Sequence, residues 1–176
     1  MLKELKDIAP IINYDMFKDE HIVVVSLNKL LFFLKILQKH IGYQYIILTS
    51  ISGVDLLGEI YRFSVVYDFL SITFNTRLRV KIFLDELSFV PSIIKLYINS
   101  NWWEREVWDL YGIYFDKHPD LRRILTDYGF EGYPLRKDFP QNGYTEAKYN
   151  ESKKRVVMVP IELPQEFRSF SFETPW

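Results

Sequence analysis

The chain has 176 residues, 48% of them hydrophobic and 17% aromatic, with a formal charge of −1. That length suits one domain plus an appendage, and the near-neutral balance excludes the net basic field of a typical nucleic-acid binder. The absence of cysteine excludes a disulfide scaffold, an all-cysteine zinc site and a cysteine-ligated iron–sulfur cluster, and three histidines at 21, 40 and 118 are too scattered for a metal cage.

The opening "MLKELKDIAP" lacks the apolar core of a signal peptide and the Arg/Ser richness of a transit peptide. The longest apolar run, "LLFFLKIL" (30–37), is broken by Lys35 and falls short of the ~20 residues that span a bilayer. These features predict a soluble protein made in the compartment where it works. Two alanines against abundant Ile, Phe, Tyr, Lys and Asn suggest AT-rich codons, hence a bacterial or organelle gene.

"HIVVV" (21–25) predicts a strand. Ser26 stands where an N-cap belongs, Leu27, Leu30, Leu31, Leu34, Leu37 and Ile41 follow helical spacing, and Gly42 supplies a stop. This reads as an amphipathic core helix, with a membrane-surface helix as the alternative. Three strands follow: 43–50; 60–68, with Tyr61, Phe63, Val65 and Tyr67 on one face; and 72–83, with Ile72, Phe74, Thr76, Leu78, Val80 and Ile82 on one face. Short connections favour antiparallel pairing. The predicted class is α+β: a small antiparallel sheet packed with helices.

Arg77, Arg79 and Lys81 lie on the other face of that last strand, as a solvated cationic stripe or a dock for an acidic partner. RNA binding would require aromatics there, and Thr73 and Asn75 fill those slots. A second helix is expected from Pro91, and a third after Asn101, with Asn101 as cap and Glu104 as the reach-back half of a capping box. Its apolar stripe is Trp103, Val107 and Leu110, with Glu104, Arg105 and Asp109 away from the stripe's centre and Gly112 closing the helix.

Beyond Gly112 the pattern changes. Six of the eight prolines fall at 119, 134, 140, 160, 164 and 175, and only 154–163 reads as a short strand. Yet Tyr128, Phe130, Tyr133, Phe139, Phe167, Phe170, Phe172 and Trp176 make the segment too apolar for a disordered tail. Burial against another subunit is the simplest outlet for those rings. The chain therefore divides into an α+β domain (1–115) and a signature loop with an extended partner-binding segment (116–176).

Four chemistries compete for the charged stretch "HPDLRRILTDYGFEGYPLRKDFP" (118–140) and the residues just before it. Asp116, His118 and Asp120 alternate, which makes His118 a candidate base for a free-standing hydrolase-type enzyme. No Ser or Cys nucleophile accompanies them, and no Gly-x-Ser-x-Gly or His-Glu-x-x-His pattern occurs. "YGFEGY" lacks the spacing of a phosphate cradle, so Gly129 and Gly132 read as turn residues. From 104 to 138 six basic residues face eight acidic ones, against a nucleic-acid groove. Mixed charges among aromatics fit a protein interface, or ion pairs within the chain: Arg105, Arg122 or Arg123 with Glu104, Glu106, Asp109 or Asp127. Spacing alone leaves both uses open.

"EREVWDLYGIYFDKHPDLRRILTDYGFEGYPLRKDFP" (104–140) closely resembles the signature of the 30 kDa subunit family of respiratory complex I, the proton-pumping NADH:ubiquinone oxidoreductase. "KRVVMVPIELPQEFRSFSFETPW" (154–176) resembles that family's C-terminal run. The landmarks the resemblance carries over are Glu104, Arg105, Glu106, Asp109, Gly112, His118, Pro119, Asp120, Leu121, Arg122, Arg123, Asp127, Tyr128, Gly129, Gly132, Pro134, Arg136, Asp138 and Pro140. Tyr133 stands where the family often has His, Val159 and Ser171 where it is commonly acidic, and Pro164 where Thr or Ser is common.

The resemblance implies a non-catalytic structural and assembly subunit of the quinone-reducing module in the peripheral arm. It implies no catalytic residue, cofactor or metal in this chain, with FMN, iron–sulfur clusters and ubiquinone bound by other subunits. It also implies a C-terminal segment wrapped around the large 49 kDa-type subunit, and membrane association only through the complex. A matrix-side location at the mitochondrial inner membrane is expected, with a bacterial or a plastid-type homologue as alternatives.

Overall fold

The structure, a computed structural model, describes residues 11–18, 20–162, 166 and 168–172. Its centre is a five-stranded sheet in the order β1 (Ile11–Phe17), β2 (Glu20–Val25), β5 (Thr76–Leu84), β4 (Phe63–Ser71), β3 (Ile47–Asp55). Period-two alternation builds the core: Phe63, Val65, Tyr67 and Phe69 of β4 and Leu78, Val80, Ile82 and Leu84 of β5 are all buried. Helix α1 (Leu30–Lys39) adds Leu30, Phe33, Leu34 and Leu37 to the same apolar cluster. The α+β class stands.

Several boundaries differ from the sequence reading. The predicted strand 72–83 begins at Thr76, because 72–75 form a turn in which Asn75 takes a positive φ of 48°. Ile72 therefore projects outward, as does Tyr61 ahead of β4. The expected strand 43–50 starts at Ile47 and runs on to Asp55. Helix α1 ends at Lys39, three residues before Gly42, and Ser26 precedes a short 3-10 turn (Leu27–Lys29) without a side-chain capping bond.

Pairing is antiparallel for β1–β2 and β3–β4–β5, but β2 and β5 run parallel. Their connection passes through α1, β3 and β4, long enough for a parallel return that short local loops could not reveal.

No helix follows Pro91. Val90–Pro91 forms β6, paired parallel with β7 (Phe115–Asp116), and turns occupy 94–96 and 98–99. The amide of Tyr97 makes one helical bond to Ile93 O, but the amide of Ser92 goes to Asp116 O and that of Ile93 to the Glu104 carboxylate. Leu96 and Tyr97 both donate to Ile93 O, but the Ser100 amide then donates to Tyr97 O and not to Leu96 O, so the single turn is not continued.

Helix α2 (Ser100–Tyr111) begins with Asn99 as N-cap, not Asn101, and Asn99 Nδ2 donates to Leu48 O at 2.9 Å. Gly112 ends it in the left-handed region at φ +75°, its amide bonded to Trp108 O, as the sequence predicts.

Gly53 marks the close approach of β3 to α2: a Cβ there would lie 2.6 Å from Cδ2 of Tyr111. Gly53→Ala is expected to push the ring aside and destabilise the fold by about 1–3 kcal/mol. Urea midpoints for the two proteins measure this, and equal midpoints would show that the contact relaxes freely.

A two-stranded hairpin, β8 (Thr145–Asn150) with β9 (Arg155–Pro160), ends the regular structure. Most of its residues are exposed on both faces, including Tyr149, Val156 and Met158.

Candidate subunit interface

The buried face of α2 is charged. Ser100, Glu104, Arg105, Val107 and Asp109 are its buried residues, so of the expected stripe only Val107 is buried, and Glu104, Arg105 and Asp109, expected away from the stripe's centre, are buried with it. Each has a partner brought from another part of the chain.

Asp109, 0% exposed, holds the turn at 124–126. Its Oδ2 accepts from the amides of Ile124 (3.2 Å), Leu125 (2.7 Å) and Thr126 (3.0 Å), and its Oδ1 from the Thr126 hydroxyl (2.7 Å). Burial pushes this carboxyl upward, but the amide and hydroxyl of Thr126 with the neighbouring amides outweigh it and hold it below the usual range. Arg123 Nε approaches Oδ1 at 3.7 Å, while its Nη atoms donate to Phe130 O and Gly132 O.

Glu104 does not reach back as a capping-box residue. Its carboxylate accepts from Ser92 Oγ at 2.7 Å and from the Ile93 amide at 2.8 Å, tying α2 to β6, and burial raises its pKa. The side chain of His118 is buried 3.8 Å from Glu104. The Asp120 amide donates to Nδ1 (3.1 Å), so Nε2 carries the proton and donates to Asn101 O (3.3 Å). Burial lowers its pKa and favours this neutral form.

Both ring nitrogens of His118 thus serve backbone groups. The Asp120 carboxylate receives Arg105 and Arg122, each at 3.0 Å, and Asp116 pairs with Lys117 at 3.8 Å. The alternating Asp–His–Asp run is used as fasteners. Among the described residues no group of three or more His, Asp or Glu could hold a metal.

A second knot lay outside the sequence reading. Asp55, buried at the end of β3, accepts from Arg62 through Nε to Oδ1 (2.9 Å) and Nη2 to Oδ2 (3.1 Å), and from the Lys137 amide (2.8 Å). The Arg62 guanidinium holds this carboxyl below the usual range against the effect of burial. Arg62 Nη2 also reaches Asp138 at 2.9 Å. Arg136 donates from Nε to Tyr111 O and from Nη1 to Glu86, and it lies over the rings of Phe63 and Tyr133. The signal for Asp55 was in the alternation itself, since Ile51, Gly53 and Asp55 share the buried face of β3.

The remaining landmarks divide by exposure. Glu106 and Pro134 are half-buried, while Pro119, Arg122, Asp127, Gly129, Gly132 and Pro140 are exposed and Tyr128 is fully so. The cationic stripe is partly neutralised, because Arg79 pairs with Asp68 at 2.7 Å, whereas Arg77 is exposed.

The ion pairs of 104–140 thus serve largely within the chain, Phe130, Tyr133 and Phe139 find partial shelter on it, and Tyr128, Tyr144, Tyr149, Phe170 and Phe172 stay outside. Fold and site together define a class: an α+β scaffold whose charges fix a loop platform and whose apolar rings project outward.

Residues 23–145 match the family of the respiratory-chain NADH dehydrogenase, 30 Kd subunit. The chain is 51% identical over 159 residues to NADH-ubiquinone oxidoreductase subunit 9 of Reclinomonas americana, covering 90% of this chain and 78% of that one. It is 55% identical over 130 residues to NADH dehydrogenase (ubiquinone) iron-sulfur protein 3 of Solanum tuberosum, covering 74% and 68%. A chain of the membrane-bound sulfane sulfur reductase, an archaeal respiratory membrane complex, shares the fold with a TM-score of 0.70 at 23% identity, covering 89% of this chain and 96% of that one. This chain belongs to the 30 Kd subunit family of the respiratory-chain NADH dehydrogenase. Although relatives are called iron-sulfur proteins, this chain has no cysteine with which to ligate a cluster.

Proposed function

We infer that this chain is a structural and assembly subunit of the quinone-reducing module in the peripheral arm of proton-pumping NADH:ubiquinone oxidoreductase. It supports electron transfer from NADH to ubiquinone without a catalytic residue of its own, and FMN, iron–sulfur clusters and ubiquinone are held by other subunits. Its chief partner is the large 49 kDa-type subunit. Its place is the matrix side of the mitochondrial inner membrane, reached through the complex; no described helix is long and apolar enough to cross a bilayer.

The observation that carries this reading is the β8–β9 hairpin. A two-stranded hairpin exposed on both faces is marginal in water, so Tyr149, Val156 and Met158 call for a covering surface from another polypeptide. Within 116–176, the part up to Pro140 is bonded to the domain, and the part beyond it is the partner-wrapping segment.

Truncation after Pro140 is therefore expected to stop the quinone-module arm from assembling, with loss of NADH:ubiquinone activity and an intact, folded 1–140 domain. Native gels of solubilised membranes read the arm directly. Normal assembly by the truncated chain would overturn the wrapping role.

A further inference from the structure

A groove of about 340 Å³ lies between the 127–131 turn, Phe139 and the base of the β8–β9 hairpin. Its walls are aromatic: Phe130 and Phe139 meet at 5.8 Å between centroids, and Phe139 meets Tyr144 edge-on at 5.4 Å. Met158 closes one side with a polarisable thioether. Asp127 and Glu131 also line it, and among the described residues no Lys, Arg or His does.

Neither carboxylate has an ion-pair partner among the described residues; Asp127 only receives the amide of Tyr128 next to it. This differs from Asp109, Asp120 and Asp138 in the same stretch, each of which is met by an arginine. The groove thus sets two carboxylates without ion pairs among π-faces; the neighbouring Arg123, over the Phe130 ring, spends its guanidinium on Phe130 O, Gly132 O and the approach to Asp109.

We propose that this groove receives the side chain of an arginine or lysine from another subunit. The proposal rests on the subunit reading above and specifies one contact within it. A guanidinium or ammonium is the occupant that satisfies both halves of the lining, lying against ring faces while its N–H groups reach a carboxylate. An aliphatic side chain would strip water from Asp127 and Glu131 without replacing it, and an acidic one would be repelled. The occupant belongs to a polypeptide because the groove opens directly onto the exposed hairpin that itself needs covering. Gly129, with nothing within 4 Å of where a Cβ would be, leaves room for a neighbouring backbone.

The test uses the full chain in its assembled complex. A photo-reactive phenylalanine analogue at Thr145, which lines the groove, is expected to cross-link to a peptide of another subunit carrying Arg or Lys at or beside the attachment point. Asp127→Lys with Glu131→Lys is expected to reduce retention of the chain in moderate salt by about tenfold, the size expected for losing one charge-assisted contact. The isosteric pair Asp127→Asn with Glu131→Gln should reduce it less, and changing the cross-linked basic residue to Glu should restore retention to the lysine variant. No cross-link, or one to a stretch lacking Arg and Lys, in a chain that still co-purifies with the complex would overturn the groove contact alone. A chain that joins no complex would overturn the subunit reading with it.

Discussion

Asp109→Ala is expected to free the 124–126 turn and to destabilise the protein by about 3 kcal/mol. The carboxylate accepts from three successive amides and one hydroxyl, and its removal leaves those donors facing an apolar methyl group. The turn is half-buried, so water re-hydrates part of it and keeps the loss below the sum of four separate bonds. Asp109→Asn separates geometry from charge. Its amide oxygen can face the three amides while its NH2 donates to the Thr126 hydroxyl, so about 1 kcal/mol is expected from loss of the charge and of the Arg123 approach.

Acid should act in the same direction. A carboxyl held below its ordinary pKa adds stability that is present above the unfolded value of about 4 and lost as pH falls through the folded value. Wild type should therefore lose more stability than Asp109→Asn between about pH 5 and 2. Urea titrations across that range, with amide exchange at 124–126, measure both effects. Unchanged exchange at those amides in the alanine variant would show that the turn is held by something else.

How far the fold was legible depended on whether the partners of a residue lay near it in sequence. The alternation of β4 and β5 is a local pattern of a half-buried surface and was readable; the stripe of α1 was readable at Leu30, Leu34 and Leu37, while Leu31 and Ile41 lie exposed and Phe33 is buried instead. Gly112 was readable because a left-handed helix end favours glycine. The edge strand β1 was not: "IINYDMF" is mostly exposed on both sides and therefore carries no clean alternation. β8 was missed for the same reason, since a strand exposed on both faces leaves no hydrophobic imprint.

The buried charges of α2 failed differently. Glu104 and Asp109 look like solvent-facing residues until Ser92, Ile93 and the 124–126 turn are folded against them. Side-chain type alone predicts exposure for a carboxylate, and only pairing over long sequence separation reverses it. The family resemblance marked these residues as landmarks without saying what they touch. The contacts show the reason for several of them: they hold an aperiodic loop in one conformation by using its amides as donors to buried carboxylates, where a sheet ladder is not available.

The same argument predicts the second large effect, at Arg62. Asp55 is fully enclosed and hydrogen-bonded by one guanidinium and one amide, so Arg62→Ala leaves a buried carboxylate with the Lys137 amide as its remaining hydrogen bond and Arg136 as a more distant charge. Breaking such a pair from one side is expected to cost about 3–5 kcal/mol. The companion Asp55→Leu/Arg62→Met should recover much of that, because an apolar pair of similar volume carries no charge to strand. Recovery should remain incomplete, since the Lys137 amide loses its acceptor and Asp138 loses its partner.

That residue of instability has a location. Lys137 and Asp138 immediately precede Phe139, the ring shared by the 127–131 turn and the hairpin, so loosening the knot at Asp55 should disturb the groove on the far side of the loop. In the double variant, amide exchange at Lys137 should rise while that of the central strands stays near wild type, and retention of the chain in its complex should fall. If Lys137 remains as protected as in wild type, the arginine holds the hairpin end of β3 and β4 alone, and the platform under Phe139 is fixed by Arg136 on the rings of Phe63 and Tyr133.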